Sequence, residues 1–228
     1  MEERKYYHAY DDRYRQVHDL KLQWSFEKST AIVKEILDRY QITKDHRILE
    51  IGCGEGRDAV PLLAKGYNLL ATDVSNEAVD YCRNKIPEHA ECFQVMDCIE
   101  DKLEQRFDLI YAVAVLHMLV DDMDRDGFYG FIRDHLKPEG IALICTMGDG
   151  QFETQSDTAT AFELQQRFHQ ESGQFVNIAG TSCRMISFET FNRELQKNQL
   201  ISVEQGICSD EPNFDKLMFA VVRSRSIS

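Results

Sequence analysis

Apolar and polar positions follow two different periods along the chain, and these periods predict alternating strands and helices. Short apolar runs that end in polar residues predict strands at 48–51, 67–72, 91–95, 107–113 and 141–146. Apolar residues spaced three or four positions apart predict helices at 30–40, 57–65, 75–86 and 121–136. Strands that alternate with helices build a parallel sheet with right-handed crossovers. We therefore expect an α/β fold of the doubly wound, Rossmann-like type.

The pattern changes after the fifth strand. Residues 148–185 are polar and rich in Gly, Ser, Thr and Gln, and their spacing predicts one helix at 160–171. Ser187 is a candidate cap for a later helix, and strands are predicted at 201–207 and 217–223. We expect a seven-stranded sheet that is mostly parallel, with the last strand antiparallel and inserted beside the fifth.

The domain organisation follows from these patterns and from the length. A chain of 228 residues is long enough for one α/β domain with insertions. We divide it into an N-terminal aromatic segment at 1–28 and a domain at 29–228, which carries the insertion 148–185. Tyr14 belongs to a group of tyrosines in the N-terminal segment with near-helical spacing. These tyrosines could form a lid over a ligand, or they could simply pack on the sheet.

Composition and charge exclude several classes of partner. The net charge is −13 and no Lys/Arg cluster is present, which argues against nucleic acid. The longest apolar run, 109–120, is too short to span a bilayer, and the N-terminus has no apolar signal-peptide core. Seven cysteines without a C-x-x-C pair argue against a zinc ribbon and for a reducing compartment. We expect a cytoplasmic monomer or homodimer with no membrane partner and no metal.

The most informative sequence is R-I-L-E-I-G-C-G-E-G, in which a strand leads into Gly52, Gly54 and Gly56. Glycines permit a tight turn and let backbone N–H groups approach a ligand closely. A dinucleotide motif requires G-x-G-x-x-G, but Arg57 occupies the last glycine's position. Glu50 would repel a pyrophosphate and could accept hydrogen bonds from an amino group. The loop therefore favours a cofactor with a zwitterionic amino-acid tail over a diphosphate.

Polar residues at three further strand ends are candidates for the same site. Asp73 ends the second strand, 17 residues after Gly56, where its carboxylate could accept both hydroxyls of a ribose. The alternative role for Asp73 is a cap for the next helix. Asp97 ends the third strand, and His117 follows the fourth. A histidine can take a proton near neutrality, although one in an apolar stretch could equally be a packed residue.

On these residues the chain resembles the class I S-adenosylmethionine-dependent methyltransferases, whose first motif is (D/E)-x-G-x-G-x-G. The resemblance covers residues 45–147 and includes L-K-P-E-G-I-A-L-I before the fifth strand. The run G-R-D-A-V-P-L-L-A-K-G-Y is similar to the small-molecule branch near the tellurite-resistance and thiopurine methyltransferases. The family places an acid like Asp97 on the adenine amino group, with the next backbone N–H also reading the ring. The resemblance implies S-adenosylmethionine as cofactor, bound by Glu50, Gly52, Cys53, Gly54, Gly56, Asp73, Val74, Asp97, Cys98, Val113 and Tyr14.

The expected function is methyl transfer to a small-molecule acceptor by in-line displacement. Because the methyl group is already activated, the reaction needs alignment more than acid–base help, and His117 is the one candidate for a catalytic base. A Rossmann-type NAD(P)-dependent oxidoreductase and a non-catalytic S-adenosylmethionine-binding regulatory protein are the alternatives. Methylation of nucleic acid or protein is disfavoured because residues 111–114 read Y-A-V-A, not N/D-P-P-Y/F.

Overall fold

The computed structural model describes residues 4–24, 28–169, 172–208 and 216–225. The strands are β1 (Arg47–Ile51), β2 (Asn68–Asp73), β3 (Phe93–Val95), β4 (Phe107–Val113), β5 (Leu136–Met147), β6 (Thr154–Gln155), β7 (Leu164–His169), β8 (Gln174–Ala179), β9 (Arg184–Met185), β10 (Leu200–Cys208) and β11 (Leu217–Ser224). The α-helices are α1 (Ala9–Asp19), α2 (Ala31–Arg39), α3 (Ala59–Ala64), α4 (Asn76–Lys85), α5 (Asp122–His135) and α6 (Phe188–Lys197).

Seven strands form the main sheet in the order β10-β11-β5-β4-β1-β2-β3. All neighbours among β1 to β5 pair in parallel, whereas β11 is antiparallel to both β5 and β10. The predicted fold class is confirmed, including the last strand inserted beside the fifth. β1 has β2 on one side and β4 on the other, so the strand order reverses there. Ligands of open α/β sheets bind at such a switch point, outside the carboxyl ends of the strands.

Alternating side chains of the central strands build a core on each face of the sheet. β4 turns Ile110 and Ala112 to one face and Leu109 and Tyr111 to the other, as the two-residue period of a strand requires. Residues of α2, α3 and α4 pack on the second face, and those of α5 and α6 pack on the first. The result is three layers, with helices on both sides of a buried parallel sheet.

The predicted helix at 160–171 is wrong. β7 and β8 form an antiparallel hairpin there, closed by a turn in which the Gly173 N–H donates to His169 O at 2.9 Å. Val176 and Ile178 of β8 are buried against Val17 of α1. Packing on another element therefore overrides the helical spacing of this segment.

The N-terminal segment and the insertion contact each other directly. Arg13 of α1 donates from Nε and Nη2 to Ala179 O at 3.1 and 2.9 Å. Its Nη2 also donates to Gly180 O at 2.7 Å and to Thr181 Oγ1 at 2.8 Å. Both segments lie across the carboxyl ends of the strands. None of the helices in the described ranges is both long and apolar enough to cross a membrane.

Candidate active site

The loop after β1 needs its glycines for conformation and for space. Gly52, Gly54 and Gly56 have φ values of 74°, 52° and 78°, a region that disfavours residues with a Cβ. A Cβ at Gly52 would lie 2.3 Å from Val115 Cγ2. At Gly56 it would lie 3.0 Å from Cys82 Sγ, so the third glycine faces α4 and serves close packing. Gly52 and Gly54, in contrast to Gly56, line the cavity beside the loop.

Asp73 joins the end of β2 to the glycine loop. Its Oδ2 accepts the Gly54 N–H at 2.8 Å and its Oδ1 accepts the Ser75 N–H at 2.9 Å. Ser75 itself caps α4, because its Oγ accepts the Ala78 N–H at 3.1 Å. Burial raises the pKa of Asp73 to about 6, although the backbone N–H groups oppose the shift. The carboxylate is thus a buried acceptor beside the loop, and the capping role belongs to Ser75.

Glu50 lies buried within β1, next to the first glycine. Its Oε2 accepts a hydrogen bond from the Tyr111 hydroxyl at 2.9 Å. Burial, and then the nearby Asp58 carboxylate, raises the pKa of Glu50 to about 8. Glu50 therefore keeps a proton at neutral pH unless a cation approaches it.

Asp97 is held by the N-terminal segment, a contact that the strand pattern did not predict. The Tyr7 hydroxyl donates to Asp97 Oδ2 at 2.9 Å, and His8 Nε2 lies 3.4 Å from the same oxygen. The Ile99 N–H donates to Oδ1 at 2.9 Å. Burial opposes ionisation, but hydrogen bonds from His8, Ile99 and Tyr7 outweigh it and lower the pKa of Asp97. The third strand end therefore carries a fixed negative charge.

Two further contacts bring the N-terminal segment over the glycine loop. Tyr14 of α1 points its hydroxyl at the loop, 2.6 Å from where a Cβ on Gly54 would lie. His18 Nε2 lies 2.9 Å from Glu55 Oε1, which also accepts the Trp24 N–H at 2.9 Å. The Glu55 carboxylate, in the middle of the loop, is thus the anchor of the N-terminal segment.

His117 occupies a short turn after β4 and is buried. Burial, and then the charges of Arg125 and Arg13, lower its pKa to about 4, so the imidazole is neutral at neutral pH. Arg125 supports this turn, and the sequence pattern did not predict that role. Its Nη1 donates to Leu116 O at 2.9 Å and to Leu119 O at 3.0 Å. Its other nitrogens form a bidentate pair with Glu194 at 2.9 and 2.7 Å. α5 and α6 thereby hold the turn that carries His117.

These elements enclose one cavity of about 640 Å³, within the range typical of small-molecule sites. It runs from the glycine loop to the insertion. The predicted residues that line it are Tyr14, Glu50, Gly52, Cys53, Gly54, Asp73, Val74, Asp97, Cys98, Val113 and His117. Gly56 lies behind the loop instead. The structure brings the predicted residues together, while their individual roles stay predictions.

An open α/β sheet with a glycine loop at its switch point and an inserted antiparallel strand defines the class I methyltransferase fold. Residues 49–142 match the family described as a methyltransferase domain. Ubiquinone biosynthesis O-methyltransferase of Rickettsia felis is 26% identical over 117 residues, which are 51% of this chain and 47% of that protein. The chain thus spans about half the length of the curated relatives it matches. The predicted resemblance to class I methyltransferases is confirmed.

Solved structures agree on the fold over nearly the whole chain. Burkholderia thailandensis 1,6-didemethyltoxoflavin-N1-methyltransferase, solved with bound 1,6-didemethyltoxoflavin and S-adenosylhomocysteine, has a TM-score of 0.70 at 18% identity, covering 97% of this chain and 89% of its own. A TehB-like S-adenosylmethionine-dependent methyltransferase from Corynebacterium glutamicum has a TM-score of 0.58 at 18% identity, with 96% and 97% covered. Because both structures are only 18% identical in sequence, their similarity shows the fold alone.

Proposed function

We propose that this protein transfers the methyl group of S-adenosylmethionine to a small-molecule acceptor. The observation that carries the proposal is the glycine loop at the switch point, with buried acids at its start and at the next strand end. The loop N–H groups and Glu50 would hold the methionine part, and Asp73 the ribose. Asp97 and the Cys98 N–H would read the adenine ring.

The charges at the loop support this cofactor over a dinucleotide. Four carboxyl groups line the cavity around the loop, those of Glu50, Glu55, Asp58 and Asp73. Even with Glu50 protonated, such a cluster opposes a diphosphate, whereas a cationic amino group and a sulfonium would be attracted to it. The Burkholderia methyltransferase of the same fold binds S-adenosylhomocysteine. These observations favour a methyltransferase over an NAD(P)-dependent oxidoreductase.

When bound, the cofactor supplies a methyl group whose bond to sulfur breaks as the bond to the acceptor atom forms. The chain supplies alignment and a dry site, because the N-terminal segment and the insertion together roof the cavity. His117 lines the cavity as a neutral imidazole and could accept a proton from an acceptor that must lose one. We assign Tyr14, whose hydroxyl reaches the loop, to the cofactor side of the roof.

The roof also supports a small acceptor over a macromolecule. The N-terminal segment and the insertion are joined by the bonds from Arg13 to residues 179–181. A nucleic acid would have to enter past them against a net charge of −13. One matched curated relative is a ubiquinone biosynthesis O-methyltransferase, and one matched structure is a 1,6-didemethyltoxoflavin-N1-methyltransferase.

Two measurements test the proposal. Calorimetry should show binding of S-adenosylhomocysteine and none of NADH, with Asp73→Ala weakening binding by about 1–3 kcal/mol, the scale of a hydrogen bond to a charged group. An acceptor library followed by S-adenosylhomocysteine release should then give turnover. Binding of NADH alone would replace the proposal with an oxidoreductase, and cofactor binding without turnover on any acceptor would favour a regulatory protein.

A further inference from the structure

The end of the cavity beneath the insertion carries two guanidinium groups that no carboxylate neutralises within the described residues. Arg13 and Arg167 both line the cavity. Arg167 of β7 is exposed, and its hydrogen bond goes to the side-chain oxygen of Gln165 at 2.9 Å. Neither arginine is in an ion pair with any carboxylate of the described ranges, although the chain has 39 Asp and Glu residues. An unpaired cation facing a cavity is unusual in so acidic a protein.

Arg13 is held in a fixed orientation. Its guanidinium lies 5.1 Å from the ring centroid of Tyr10 and 4.9 Å from that of Trp24, and it is 7% exposed. Nε and Nη2 donate to the carbonyls at 179–180 and to Thr181. Within the described residues Nη1 makes no hydrogen bond, so its two N–H groups remain for a ligand. Because the other two nitrogens immobilise the guanidinium, Nη1 loses little entropy when it donates to a carboxylate oxygen.

The two cations also act on each other. Burial lowers the pKa of Arg13, and the neighbouring charge of Arg167 lowers it further. The cavity's acids, among them Glu55 and Asp73, lie instead at the glycine loop. The cavity thus has a negative end, where a cationic cofactor would bind, and a positive end under the insertion. Two like charges at the positive end are unfavourable until an anion joins them.

We propose that the methyl acceptor carries a carboxylate, which Arg13 and Arg167 bind together. This inference rests on the proposed function and adds the chemical class of the acceptor. A carboxylate can accept from Nη1 of Arg13 with one oxygen and from the exposed guanidinium of Arg167 with the other, and charge assists both hydrogen bonds. Tyr10, Trp24 and Phe168 line the same end and offer apolar surface to the body of an aromatic acid.

The test uses the intact protein saturated with S-adenosylhomocysteine, and the probes are benzoate, benzamide, benzylamine and phenyl phosphate. Benzoate should bind at least about tenfold more tightly than benzamide, as expected for a charge-assisted hydrogen bond. Arg167→Gln should reduce this preference several-fold, because only Arg13 remains to bind the carboxylate, and Arg167→Lys should keep more of it. Arg167 is exposed, and among the described residues its hydrogen bond goes to Gln165 alone, so both variants should fold. Arg223→Gln is the matched control, because it removes an exposed arginine outside the cavity.

The outcomes separate this inference from the proposed function. Failure to bind S-adenosylhomocysteine would reject the proposed function itself. If S-adenosylhomocysteine binds, the inference is overturned by equal affinity for benzoate and benzamide, or by no benzoate binding up to its solubility limit. Benzylamine binding more tightly than benzoate would mean that the acceptor is cationic and would overturn the inference. Phenyl phosphate binding more tightly than benzoate would mean that the acceptor carries a phosphate in place of a carboxylate. A benzoate preference of unchanged size in Arg167→Gln would also overturn it.

Discussion

Gly54 occupies a point where the backbone conformation, the Tyr14 hydroxyl and the proposed cofactor compete for the same space. A Cβ there would lie 2.6 Å from Tyr14 Oη, and the φ of 52° disfavours any L-residue. Gly54→Ala should therefore cost about 1–2 kcal/mol of stability from the backbone alone. It should also weaken S-adenosylhomocysteine binding, which calorimetry on the folded variant would measure.

The neighbouring side chain provides the control for this variant. Removing the Tyr14 hydroxyl leaves the ring carbon Cζ as the nearest atom, at 3.6 Å from the added Cβ. The double variant Gly54→Ala with Tyr14→Phe should thus recover the affinity and stability that the clash removes. It should keep the loss of stability that the positive φ causes. Full affinity in Gly54→Ala would contradict the assignment of the loop as the cofactor site.

Glu50 should report cofactor binding as a released proton. Its pKa of about 8 keeps it protonated at pH 7, and an approaching ammonium group would favour the carboxylate. S-adenosylhomocysteine affinity should therefore rise with pH between 6 and about 7.5. Calorimetry at pH 7 in two buffers of different ionisation enthalpy should show the released proton, and Glu50→Gln should abolish it. Equal binding heats in both buffers would exclude Glu50 as the amino-group partner.

The raised pKa of Glu50 also makes folding stability depend on pH. Because the folded pKa of Glu50 lies above its ordinary 4.5, the acid form is the one that the fold favours. The contribution of protonated Glu50 to the free energy of unfolding is fully present below pH 4.5 and is lost as the pH rises through about 8. Cofactor binding should therefore stabilise the protein most at the alkaline end of this window.

At the scale of elements, the docking of α1 on the glycine loop depends on His18. Its hydrogen bond with Glu55, 2.9 Å long, is the main cause of a raised pKa for His18. The stabilisation is fully present below pH 6.5 and is lost as the pH rises through the higher folded pKa. His18→Gln should lower stability by ~1–2 kcal/mol at pH 6, the scale of a hydrogen bond to a charged group, and by less at pH 9.

Thermal unfolding of both proteins across this pH range measures the effect. His89→Gln is the control, because His89 is a partly exposed histidine away from the cavity. A difference between wild type and His18→Gln that does not change with pH would mean that His18 contributes packing alone. That result would mean that the charge of His18 does not help to hold α1 on the glycine loop.

At the scale of the molecule, we predict that α1 and the β7–β8 hairpin form a lid that closes on the cofactor. The two elements share buried contacts through Val17, Val176 and Ile178. Hydrogen exchange should therefore show both becoming protected when S-adenosylhomocysteine is added, together with the glycine loop. Protection of the loop without any change in α1 and the hairpin would mean that these segments are fixed packing. The distal strands β10 and β11 serve as the internal reference.

Local pattern determined much of the framework. The strands of the main sheet, the glycine loop and the caps Ser75 and Ser187 were predictable, because each depends on residues a few positions apart. Asp73 could be placed at the cofactor edge because the doubly wound fold brings the ends of adjacent parallel strands together. For the same reason the predicted site residues, apart from Gly56, line the same cavity.

Only the tertiary structure decided the rest. The hairpin at 164–179 is set by burial against α1, and its own weak period could not reveal that. Tyr7 meets Asp97 across 90 positions, and Arg13 meets Ala179 across 166. No local spacing encodes such pairs, because they form only after the sheet has brought the two ends of the chain to one edge. The end of the cavity beneath the insertion, built almost entirely from such contacts, is therefore a product of folding that the sequence alone did not disclose.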